Sequence, residues 1–93
     1  MTAAGPFGSY REAHDAALAF GGPARPGWSI LSDEQNRAML EEACAAAGIE
    51  LGLYDARIVR WLSGFEDSTC AVIAGLVSRA HEAGVAAGRT EAR

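Results

Sequence analysis

YDARIVRWLSGFEDSTCAVIAGLVSRAHEAG, residues 54–84, decides the fold. Ile58, Trp61 and Leu62 recur at helical spacing and predict a short helix over 54–63. Gly64 stops it. Glu66, Asp67, Ser68 and Thr69 then bring the carboxylates and hydroxyls that favour a helix N-terminus. The following helix, expected to run from Asp67 to about Ala83 with Gly84 as its stop, is apolar on most sides and must bury itself against other elements. The two helices make a helical hairpin with both ends marked.

Working toward the N-terminus, the same punctuation repeats. Ser32 with Gln35 three residues on is a capping-box pattern, and Asp33 and Glu34 suit the positive end of a helix. That helix should run from Asp33 to about Ala47, with Met39, Leu40, Ala43, Cys44 and Ala47 as its apolar face. Gly48 stands where a left-handed stop belongs, and Ile49 where the closing contact follows it. Ser9 caps an earlier helix reaching about Phe20, with Ala13, Ala16, Ala17 and Phe20 as its stripe. Between the two, glycines and prolines break the chain around Trp28, read as a residue that pins this loop to the core, with an exposed partner anchor as the alternative. Neither strand-like alternation nor an internal repeat is present.

The expected fold is all-α: a compact bundle of about four short helices ending in the hairpin. Residues 1–8 read as a flexible arm, 9–84 as one domain and 85–93 as a frayed tail. Alanine supplies about a fifth of the 93 residues, so the helices should pack closely around few large anchors. Those expected anchors are Trp28, Trp61, Phe65, Phe20, Tyr54, Ile58, Leu62, Ile73 and Leu76.

The net charge is −4 and every cationic residue of the Lys/Arg class is arginine. Residues 1–53 hold seven acids against three arginines, and residues 54–93 five of each. This balance disfavours nonspecific nucleic-acid binding, and an anionic partner would meet the second half. The longest apolar run, Cys70 to Val77, is too short to span a membrane. No secretory signal is visible, and two widely spaced cysteines suit a reduced, cytoplasmic protein.

Catalytic patterns fail on their chemistry. His14-Asp15 resembles part of a metal-dependent phosphohydrolase signature, but His81 is the one other histidine. His81-Glu82 opens like HExxH, yet Val85 stands where the second histidine belongs. Zinc requires at least three converging ligands. Cys44 and Cys70 lie on apolar faces without a nearby base, so both read as small core residues. Glu41 and Glu42 are adjacent on a helix, so their carboxylates do not face each other as a catalytic pair would, and they read as a solvated face. No nucleophile elbow, phosphate loop or dinucleotide fingerprint occurs. The expectation is a non-enzyme without cofactor, metal or catalytic residues.

Two binding readings remain. In the last helix Ala71, Gly75 and Arg79 fall four apart. A glycine inside a helix costs about 1 kcal/mol against alanine, which points to close approach of another backbone at Gly75. Ala71, Gly75, Leu76 and Arg79 are therefore the expected partner-binding residues of an interaction module that self-associates or serves a larger protein. The alternative is DNA binding. RIVRWLSG resembles the recognition-helix end of some helix-turn-helix regulators, which would place Arg57 and Arg60 in the groove. The spacing from Gly48 exceeds the compact turn of that motif.

The stretch ACAAAGIELGLYDARIVRWLSGFEDSTCAVIAGLVSRAHEAG also resembles small, uncharacterised helical proteins of actinobacteria and their phages. The resemblance covers somewhat under half the chain and brings no activity with it. It agrees with the lysine-free composition of a GC-rich source.

Overall fold

The computed structural model describes residues 4–22 and 30–91, with the side chains of 89–91 left aside. The described chain is all-α, with helices α1 (Tyr10–Gly21), α2 (Asp33–Ala46), α3 (Leu53–Leu62) and α4 (Asp67–Glu91). Trp28, expected to pin its loop to the core, lies outside the described residues.

Local chemistry accounts for the helix ends. Ser9 Oγ accepts the Glu12 N–H at 3.2 Å, and the Glu12 carboxylate accepts the Gly8 N–H at 3.4 Å. On α2 the reciprocal pair forms as the sequence predicts. Gln35 N–H donates to Ser32 Oγ at 3.1 Å, and Ser32 N–H donates to Gln35 Oε1 at 2.9 Å. The helix closes with Ile49 N–H on the Cys44 carbonyl at 2.9 Å and Gly48 N–H on Ala45 at 3.0 Å. Gly48 takes φ 76°, which glycine adopts without a steric penalty. On α3 the cap position is Gly52, whose N–H is held by Asp55 Oδ2 at 3.0 Å.

α4 is the axis of the bundle. It packs along both α1 and α2, which touch each other only slightly, while α3 leans on α2. Two expectations need correction. α4 does not stop at Gly84 but continues through Gly84 and Gly88 to Glu91, so it is long and residues 85–91 are helical. Its exposed alanine-rich surface there favours helix enough to carry two glycines. The segment from Ala4 to Gly8 is not a free arm either. Phe7 packs on the core, and Ala4 lies against Gly75 of α4.

The core is built from small residues. Ala13 and Ala17 of α1, Met39 and Leu40 of α2, and Cys70, Ala71 and Ala74 of α4 are buried with Leu31. Leu18 is buried too, although the sequence stripe did not include it. Most expected large anchors lie outside this core. Trp61, Phe65, Phe20, Tyr54 and Leu76 are exposed, and Ile58, Leu62 and Ile73 are half-buried. The faces that α1 and α4 turn to this core are mostly alanine, so its larger aliphatic side chains come from α2 and Leu31. On α3 the inward residues that pack on the core are Val59 and Leu62, with Trp61 turned away.

Candidate functional site

Two constellations stand out: a buried polar knot at the start of α4, and the outer face of α3.

The knot is centred on Asp67, in the first turn of α4. Its Oδ2 accepts the Leu31 N–H at 2.7 Å and its Oδ1 accepts Asn36 Nδ2 at 3.1 Å. Asn36 Nδ2 also donates to the Ser63 carbonyl at 3.3 Å. Both Asn36 partners are acceptors, so its amide nitrogen must face them. Its Oδ1 is then buried without a partner. Asn36 is 1% exposed and Asp67 6%. The knot joins the loop before α2, α2 itself, the link after α3, and α4. Asn36 lies one turn before Met39 and Leu40 on the buried face of α2, so helical periodicity alone could have found it.

Cys70 sits one turn beyond Asp67, its Sγ 3.4 Å from the Leu62 carbonyl that it faces as donor. Burial pushes its thiol from the ordinary 9.0 up to about 11, with the Asp67 and Asp33 carboxylates adding to the shift. A thiol held protonated is a poor nucleophile and a poor metal ligand. Cys44 differs from its expected core role, being only half-buried. Among the described residues no group of three or more histidine, cysteine or acidic side chains is arranged to hold a metal ion. None of the described helices is long and apolar enough to cross a membrane.

The residues expected to bind a partner on α4 divide. Ala71 and Gly75 are buried, Leu76 is exposed, and Arg79 is half-buried. A Cβ at Gly75 would run into the Ala4 carbonyl oxygen and meet the Phe7 ring at 3.2 Å. The close backbone that the glycine accommodates is thus the chain's own N-terminal segment. The close approach expected at Gly75 is therefore met inside the chain by a non-helical segment, and not by another helix or a partner. Arg79 turns back along its own helix, Nε donating to the Gly75 carbonyl at 3.2 Å. Ala71 and Gly75 also floor an open cleft of about 240 Å³ with Phe20, Met39 and Ala74.

α3 is the opposite case. It has no fully buried residue. Leu53, Tyr54 and Trp61 are 95%, 70% and 61% exposed, and Arg57 and Arg60 are exposed beside them. At 100° per residue these five share a sector about 120° wide, opposite Ile58, Val59 and Leu62. Asp55 lies outside that sector, engaged at the Gly52 cap. Phe65, just past the helix, meets Trp61 edge-on with ring centroids 4.8 Å apart. Trp61 is expected inside from its helical spacing to Ile58 and Leu62, yet it is 61% exposed. The discriminating signal was Val59, which completes the inward stripe without it.

Comparison with models of known protein families, with curated proteins and with solved structures gives no match.

Proposed function

We propose that this chain is a small non-enzymatic interaction module whose working surface is the outer face of α3. The observation that carries this reading is the exposure of Leu53, Tyr54 and Trp61 on one side of a ten-residue helix, with Arg57 and Arg60 among them. Fully burying an apolar side chain of this kind gains about 1.5–3 kcal/mol, which the isolated chain forgoes at each position. Tryptophan, tyrosine and arginine are the residue types that dominate binding energy at protein interfaces. The reading keeps the interaction module expected from sequence and moves its surface from α4 to α3.

DNA binding through Arg57 and Arg60 is the second reading, favoured by the exposure of both arginines on that same helix. Against it stand a net charge of −4 and an α3 face that interleaves the arginines with apolar groups.

The test is the size at which the chain elutes from an extract of its source cells. Wild type is expected in a larger assembly that survives nuclease. Leu53→Ser with Trp61→Ala should elute at single-chain size while keeping its helical circular dichroism. Elution of wild type as a single chain, or collapse of the assembly on nuclease treatment, overturns the reading.

A further inference from the structure

We propose that the occupant of the α3 face is the outer face of α2 in a second copy of this chain. This rests on the interaction-module reading and names its partner. The outer side of α2 carries Glu34, Ala38, Glu41, Glu42 and Ala45, all exposed. At helical spacing these five share one sector, and the only arginine of α2, Arg37, falls outside it. One face is therefore three carboxylates set among alanines. The other is two guanidinium groups set among a leucine, a tyrosine and a tryptophan.

The complementarity is of two kinds. Glu34, Glu41 and Glu42 make no ion pair among the described residues, and neither do Arg57 and Arg60. α2 touches α3 within one chain, yet these charges are left unused on the outward sides. In shape, Ala38 and Ala45 present a shallow surface that large rings can lie on, whereas α3 supplies the rings and lacks a shallow surface. A single chain thus carries both halves of one interface. Apolar contact with Tyr54 and Trp61 provides most of the attraction, and the charges set register and exclude self-pairing of like faces. Because the two faces differ, α3 of one copy meets α2 of the next.

Light scattering after size exclusion, with charge reversal and mixing, tests the assignment. Wild type should show a mass above the 9.7 kDa of one chain. Arg57→Glu with Arg60→Glu makes both faces acidic, and Glu41→Arg with Glu42→Arg makes both basic. Each double variant should run as a single chain, with circular dichroism confirming that it folds. An equimolar mixture of the two should regain the wild-type mass, since each acidic face now finds a basic one. If wild type is a single chain at millimolar concentration, or the reversals leave its mass unchanged, or the folded variants fail to associate on mixing, the assignment is overturned. Should wild type be monomeric alone yet elute in a nuclease-resistant assembly from extract, the interaction-module reading stands and the second-copy partner falls.

Discussion

Asp67 accepts a hydrogen bond from the side chain of Asn36 at 3.1 Å across 31 residues of sequence, and both groups are almost wholly buried. The same carboxylate holds the Leu31 N–H at 2.7 Å. One residue in the first turn of α4 therefore fixes the entry to α2 and the position of α2 against α4. Such a carboxylate is favoured there by the helix dipole as well.

Asp67→Ala should destabilise the fold by about 2–4 kcal/mol, since it strands two buried donors at once. Asp67→Asn keeps an acceptor for the Leu31 N–H and should cost less. Urea unfolding monitored by circular dichroism measures both. An alanine variant as stable as wild type would mean that the knot does not hold α2 in place.

Gly75→Ala gives the sign of a second claim. Helix propensity alone would favour alanine by about 1 kcal/mol. The Ala4 carbonyl stands where the new Cβ must go, and relieving that overlap should cost about 1–3 kcal/mol. The thermal midpoint should fall while the mass stays unchanged. A rise in the midpoint would show that the N-terminal segment does not lie on α4.

Cys70 makes stability depend on pH in the alkaline range. Its folded pKa is raised, so the contribution of the protonated thiol is fully present below about 9.0 and is lost as pH climbs toward 11. The loss should reach about 2 kcal/mol and be absent from Cys70→Ala, which controls for other groups titrating there. At neutral pH a thiol reagent should label half-buried Cys44 and reach Cys70 only on unfolding. Equal alkaline sensitivity in wild type and variant would remove Cys70 as its source.

The core and the α3 face should separate in their response to truncation. Leu40→Ala should cost about 2–5 kcal/mol in thermal or chemical unfolding, because Leu40 is 3% exposed. Trp61→Ala should change the stability of the isolated chain by well under half of that. An equal loss from the two would place Trp61 in the core.

The helices were legible in sequence where short-range chemistry fixes them. Ser9, Ser32 and Gly48 each act through bonds to residues within five positions, so their roles follow from the local order of residues. The end of α4 was not legible, because Gly84 and Gly88 are exposed and a helix tolerates them when nothing else terminates it. Which face of α3 turns inward depends on where α2 lies, and three aliphatics, Ile58, Val59 and Leu62, outcompeted one tryptophan for that side. Gly75 was correctly read as a place of close backbone approach. The approaching backbone lies about 70 residues away in sequence, and nothing local names it. Asp67 is legible as a helix-start carboxylate and Asn36 is not singled out by the sequence reading, and their pairing exists only once α2 and α4 are packed.

The most direct test of α3 as a protein-binding face is photo-crosslinking in the source cells from a photoreactive phenylalanine analogue at Tyr54, with one at Glu82, an exposed α4 position, as control. Protein adducts are expected from position 54, absent from position 82, and lost from position 54 when Trp61→Ala is added. Equal adducts from both positions, adducts to nucleic acid alone, or none from position 54 would contradict the account.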